Sequence, residues 1–123
     1  MYILILFILF QLKHTVADFI LQSESQYSQK RFYGQWGGVK HALIHAFGTT
    51  FILLYFGWFN ALCFGAFDGF VHYHVDWLKE NIIKHYKLSV KDRTYWIIFG
   101  LDQLLHQLTY FVIIFSILFI SSF

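Results

Sequence analysis

The sequence predicts an all-α fold, a polytopic membrane protein built as a four-transmembrane-helix bundle, and three observations predict it. The 123 residues are 58% hydrophobic and 23% aromatic with only 13% charged, a composition outside the soluble globular range. The apolar residues gather into four stretches, each long enough to cross a bilayer as a helix. Of the nine Lys and Arg, all but Lys13 lie in or beside two alternate connections, as expected of basic loops on one membrane face. Nine basic and seven acidic residues are too few to cover a soluble surface, so soluble, disordered and nucleic-acid-seeking classes are set aside. The single Cys63 makes neither an internal disulfide nor a zinc-finger pattern, which leaves His and carboxylate as the ligands for any metal.

The chain reads as one domain over residues 1–123, with spans at about 1–22, 39–59, 61–79 and 94–120. The first span is apolar except for Gln11, Lys13, His14 and Asp18. It lacks a basic leader and a small-residue cleavage site, so it is read as a retained helix and not a signal peptide. Residues 23–38 are polar and glycine-bearing, a loop or interfacial segment. The second span ends in a tight turn at 57–60, and the third leads into a basic connection at 79–93. After the fourth span, residues 121–123 form a stub. Lys30, Arg31 and Lys40 flank the first loop, while Lys79, Lys84, Lys87, Lys91 and Arg93 surround the third connection. The positive-inside rule then puts both connections in the cytoplasm and both termini outside it. Tyr33, Trp36, Trp77, Tyr95 and Trp96 fall at the cytoplasmic interface, with Tyr2, Tyr55 and Trp58 toward the other.

What interrupts the apolar runs carries the chemistry. His14 and Asp18, His41 and His45, His72 and Asp76, and Asp102 and His106 are each spaced i, i+4, which gives every span one polar stripe. All four pairs are expected in one cytoplasm-facing layer of the bundle. An ionisable side chain at the centre of a membrane helix costs roughly 2.5–3.5 kcal/mol, so several of them require partners. A divalent cation satisfies the set, zinc first and manganese or iron next, because imidazole and carboxylate converging from facing helices are their ligands. Eight ligands exceed one tetrahedral site and suit two ions, or one ion with carboxylates that orient its histidines. The competing reading is a ring of His–Asp hydrogen bonds that only locks the helices together. Four pairs at one level favour a metal or catalytic site over that lock.

Around this set the roles are less specific. Asp68, one turn before His72, is expected first to orient that histidine, with ligation or simple capping as alternatives. Lys79 reads equally as an anion contact and as a snorkelling interfacial lysine. Lys30 and Arg31 read first as topology determinants and second as phosphate contacts. Gln22 and Gln103 are donors to a bound ligand or structural amides. His74 points away from the stripe.

The run His14-Thr15-Val16-Ala17-Asp18-Phe19-Ile20-Leu21-Gln22 resembles the HxxADFxLQ signature of the domain of unknown function 3307 family, small integral membrane proteins of bacteria and their phages. The resemblance continues through His41-x-x-x-His45, Asp68-x-x-x-His72-x-x-x-Asp76-x-x-Lys79 and Asp102-Gln103-x-x-His106. His74 and the tail after Thr109 add nothing to it. It implies a multi-pass protein of the bacterial inner membrane and supports the polar site, without implying a reaction.

The first functional expectation is a metal-dependent hydrolase acting at the cytoplasmic membrane face on an amphiphilic or phosphate-bearing substrate. Asp76 or Asp102 would serve as base, and Lys79 or the Lys30/Arg31 pair would hold an anionic head group. No Ser, Cys or Thr nucleophile motif is present, which disfavours a covalent intermediate. A second expectation is proton or metal-ion transport, which needs polar groups through both leaflets where this chain is apolar in the outer one. The third is a non-enzymatic phage or bacterial protein that binds a host membrane partner. The partners expected are the lipid bilayer, such a substrate and a second copy of the chain, since four helices bury little on their own, although no G-x-x-x-G motif is read in support of self-association; no nucleic acid is expected.

Overall fold

A computed structural model describes residues 2–122; Met1 and Phe123, the outer ends of the first span and the C-terminal stub, lie outside the described residues. Helix α1 (Tyr2–Thr15) runs into a π-helical turn (Val16–Ile20), followed by the short α2 (Glu24–Gln29). Helix α3 (Trp36–Leu53) ends in a 3₁₀ turn (Leu54–Phe56), and α4 (Trp58–His85) and α5 (Arg93–Ile120) complete the chain.

Several boundaries differ from the sequence expectation, each for a local reason. The segment expected as a loop contains α2 because Ser23 and Gln26 form a capping box. The Ser23 N–H donates to Gln26 Oε1 at 2.7 Å and Ser23 Oγ accepts the Gln26 N–H at 3.4 Å, which satisfies two otherwise orphaned helix-start donors. The turn between α3 and α4 is Gly57 alone, at φ +100°, a backbone conformation that costs glycine nothing. Helix α4 continues to His85, past the expected end at residue 79, because a Schellman closure stops it later. The Leu88 N–H reaches the Ile83 carbonyl at 2.9 Å and the Lys87 N–H reaches that of Lys84 at 3.2 Å, with Lys87 in the left-handed position at φ +51°.

The four long helices close a ring: α1 lies against α3 and α5, α3 against α4, and α4 against α5, with α2 laid on α3. Alternate directions follow from the tight turn after α3 and the short connection before α5. Close approach of α3 and α4 depends on Gly65 and Gly69, a G-x-x-x-G pair that corrects the expectation of no such motif and serves a contact within the chain. A Cβ at Gly69 would lie 2.9 Å from the Ala46 Cβ and 3.0 Å from the Ala42 carbonyl; one at Gly65 would run into Thr50.

One end of the ring is apolar and filled by Leu6, Phe10, Leu53, Ala61, Ile113, Ile114 and Ile117, with Tyr110 at its inner edge. The other end buries His14, His41, His45, His72, His106, Asp68, Asp76, Asp102, Lys30 and Lys79, while Ile8, Leu12, Phe47, Phe51, Phe70, Leu104, Leu108 and Phe115 face outward. Polar inside and apolar outside inverts a soluble protein and suits a hydrocarbon surround. Three segments, Tyr2–Ile20, Trp36–Phe56 and Arg93–Ile120, are long and apolar enough to cross a membrane. The expected count of four is thereby reduced to three on length and composition. Helix α4 has the length, but Asp68, Asp76, Lys79, Glu80 and Lys84 lower its apolarity. The helix pattern is that of a multi-pass membrane protein.

Candidate metal centre

Each long helix delivers its stripe to the same end of the ring. On α1 the delivery includes a distortion: the Leu21 N–H bonds the Val16 carbonyl at 2.9 Å, an i→i+5 bond that widens one turn around Asp18. Such π turns recur where a helix aims a functional side chain. Here it keeps Asp18 Oδ2 3.3 Å from His14 Nε2 while Oδ1 turns to the histidines of α3 and α4.

Asp18 Oδ1 stands 2.8 Å from His45 Nε2, 3.2 Å from His41 Nε2 and 3.7 Å from His72 Nε2. His41 Nε2 and His72 Nε2 are 3.2 Å apart, and the four ligand atoms all lie within 4.8 Å of one another. Four atoms bound tetrahedrally to one zinc at about 2.0–2.1 Å stand about 3.3 Å apart, so the set has the right size. Protons tie the set only in part. His45 can donate to Asp18 at 2.8 Å and His41 to a bare His72 Nε2 at 3.2 Å, but His72 stands 3.7 Å from Asp18 Oδ1, beyond a hydrogen bond. A cation at the centre takes a lone pair from all four.

A second set shares His72. His72 Nε2 lies 3.3 Å from Asp76 Oδ2, and His106 Nε2 lies 3.8 Å from Asp76 Oδ1 and 3.4 Å from Asp102 Oδ1. The rings of His45, His72 and His106 stack as a column, with centroids 3.5 Å and 3.9 Å apart. Asp76 Oδ2, Asp102 Oδ1 and His106 Nε2 are buried without a hydrogen-bond partner, as are His41 Nδ1, His72 Nδ1 and Gln22 Oε1. These atoms leave lone pairs and N–H groups that a water or an ion could satisfy. Two ammonium groups already attend Asp76: Lys30 Nζ at 2.8 Å from Oδ2 and Lys79 Nζ at 3.4 Å from Oδ1. Lys79 is also 3.4 Å from Asp102 Oδ2.

Of the eight residues expected as ligands, Asp18, His41, His45, His72, Asp76 and His106 fall within these two sets. His14 and Asp102 stand beside them. Both ring nitrogens of His14 are occupied, Nδ1 at 2.8 Å from the Tyr110 hydroxyl and Nε2 at 3.0 Å from Gln103 Oε1. Gln103 also donates to Asp102 Oδ2 at 3.0 Å and so ties the two outer residues together. Arg31 is away from the centre, in a cleft with Tyr27, Ser28, Glu80, Lys84 and Lys87.

Asp68, expected beside His72, pairs elsewhere. Its Oδ2 receives Lys13 Nζ at 2.6 Å and the Thr49 hydroxyl at 2.6 Å. Lys13 also donates to Thr49 at 3.2 Å, faces His45 Nδ1 at 3.4 Å and sits 4.3 Å from the Tyr110 ring centroid. Lys13, Thr49 and Tyr110 are the polar residues that sequence reasoning left out of the site. Lys13 is one residue, about 100° of helix, away from His14 and off its stripe. The signal available was its charge alone, which within an apolar span demands a buried partner.

A family model described as "Protein of unknown function (DUF3307)" matches residues 5–123. No curated protein and no solved structure matches the chain. The matched stretch includes every residue of both His/Asp sets and nearly the whole bundle, and the chain belongs to the DUF3307 family.

Proposed function

We propose that the protein is a metal-dependent hydrolase working at the cytoplasmic face of a bacterial inner membrane on an amphiphilic, phosphate-bearing substrate, with α4 crossing the bilayer beside the three apolar helices. The observation that carries the reading is the convergence of Asp18 Oδ1 with His41, His45 and His72 Nε2 in the buried interior. A divalent ion held there, zinc first, would supply Lewis acidity to a scissile bond and to a water, provided its coordination expands to five or one of the four side chains yields its place. Asp102 is the proton acceptor: Asp76 Oδ2 and Asp102 Oδ1 are both buried without a hydrogen bond, but each Asp76 oxygen has an ammonium within ion-pair distance, whereas in Asp102 only Oδ2 does, facing Lys79 at 3.4 Å. Lys30 and Lys79 offer charge to an anionic head group, and the cleft with Arg31, Lys84 and Lys87 adds a basic approach from the interface. Transport is the weaker reading. The interior opposite the site is closed by Leu6, Phe10, Leu53, Ile113 and Ile117, which offer an ion no polar path within one protomer.

The test uses untagged protein purified in detergent, with metal content by mass spectrometry and turnover screened on lipid phosphates and phosphate esters. Wild type is expected to carry near-stoichiometric metal and to turn over, while Asp102→Asn keeps the metal and loses at least about 100-fold in turnover, within the usual contribution of a general base. Metal-free protein that does not respond to zinc, manganese or iron would sink the reading and leave a structural His–Asp network.

A further inference from the structure

The paired sets invite two ions, but the distribution of charge around them is unequal. Four aspartates lie in the polar interior: Asp18, Asp68, Asp76 and Asp102. Three lysines lie among them. Lys13 answers Asp68 at 2.6 Å, Lys30 answers Asp76 at 2.8 Å, and Lys79 stands 3.4 Å from both Asp76 and Asp102. Among the described residues, the ion-pair partners of Asp18 are His14, His41, His45 and His72 and include no Lys or Arg. Asp18 is therefore the one interior carboxylate with no Lys or Arg within ion-pair distance; Lys13 is held beyond the His45 ring, 3.4 Å from its Nδ1, and paired with Asp68. It is also the one with three imidazole nitrogens directed at a single oxygen.

Resting on the metal reading above, we propose that the centre holds one divalent ion, at Asp18, His41, His45 and His72, and that Lys30 and Lys79 take the place of a second ion in the Asp76 half. An ion bound about 2 Å from Asp76 Oδ2 would lie within about 5 Å of the Lys30 ammonium, given the 2.8 Å pair, inside low-dielectric protein where like charges repel strongly. At the Asp18 position the repulsion is smaller: the nearest ammonium, Lys13, stands behind the His45 ring, 3.4 Å from Nδ1, and is paired with Asp68 at 2.6 Å, while an ion there offsets a carboxylate that has no Lys or Arg partner of its own. Lys30 comes from the segment after α2 and is 4% exposed, so its charge is held in the site and not free to swing into water. The sharing of His72 adds to the exclusion, since Nε2 gives its one lone pair to one ion at a time.

The experiment is zinc stoichiometry by mass spectrometry after zinc loading and gel filtration, on untagged wild type, Asp18→Asn, Asp76→Asn, K30Q/K79Q and K30R/K79R. One equivalent is expected in wild type, none in Asp18→Asn, and one in both Asp76→Asn and K30R/K79R. A rise toward two is expected in K30Q/K79Q, with a monodisperse elution profile as the check on folding. Two equivalents in wild type, or loss in Asp76→Asn with retention in Asp18→Asn, would overturn this inference while leaving a metal centre in place. K30Q/K79Q that elutes normally and stays at one equivalent overturns the role of the lysines. No zinc in wild type overturns the metal reading itself.

Discussion

At the scale of single residues, the pair Lys13–Asp68 shows how this interior tolerates charge. Both side chains are buried, and the Thr49 hydroxyl shares the acceptor. The stem of Lys13 crosses from α1 over Gly48, where an added Cβ would lie 2.7 Å from Lys13 Cγ. Removing one member of such a pair strands the other charge, which typically costs about 3–5 kcal/mol, whereas replacing both with apolar groups is often close to neutral. Lys13→Met alone is therefore expected to lower the melting temperature in detergent sharply, and K13M/D68L to recover most of the loss. Equal destabilisation by the single and double variants in a thermal melt would contradict the pairing. The residue was visible in the sequence as an isolated charge; its partner was not, because Asp68 is 55 positions away and belongs to another helix.

At the scale of elements, the α3–α4 contact sets the positions of His41 and His45 relative to His72. Helices can approach this closely only where side chains are absent, and Gly69 faces Ala42 and Ala46 at less than ordinary contact distance for a Cβ. Gly69→Leu is expected to force the helices apart, costing about 1–3 kcal/mol as overpacking and lowering metal occupancy, since three of the four ligands at Asp18 straddle this contact. Gly100 provides the comparison on α5: a Cβ added there would meet nothing within 4 Å, so Gly100→Ala should keep full occupancy and raise stability by up to about 1 kcal/mol through helix propensity. Melting curves and metal content of the two variants separate close packing from a general intolerance of substitution. The glycine spacing was legible in the sequence, as was the Ser23/Gln26 capping box. Neither stands out there, because a small residue or a single polar pair leaves a weaker mark than a long apolar run or a charged stripe.

At the scale of the whole molecule, the bundle has two unlike ends, and the basic residues lie with the polar one. Lys79, Lys84, Lys87 and Lys91 follow the site along α4 and the connection to α5, while the opposite end carries Tyr55, Trp58 and Ser122. With Cys63 replaced by Ser, a cysteine at Lys91 should resist a membrane-impermeant maleimide in intact cells and one at Ser122 should react, if the site faces the cytoplasm. The reverse pattern would place the site outside and remove the cytoplasmic part of the proposed function. The apolar plug at the far end makes a related demand: polar substitution of Ile113 should reduce stability without creating ion flux.

Helical periodicity is a local property, so the sequence by itself determined the long helices, the apolar exterior and the single His/Asp stripe on each span: residues four apart share a face whatever surrounds them. Basic residues beside alternate connections determined, by the same local logic, which ends of the helices belong together. Tertiary structure alone decided which stripe atoms meet. Rotation and approach of neighbouring helices depend on contacts such as Gly69 with Ala46, and a shift of one residue turns a side chain by about 100°. That is why Asp18, carried on a π turn, collects three histidines, why His14 turns to Tyr110 and Gln103, and why Asp68 answers Lys13 in place of His72.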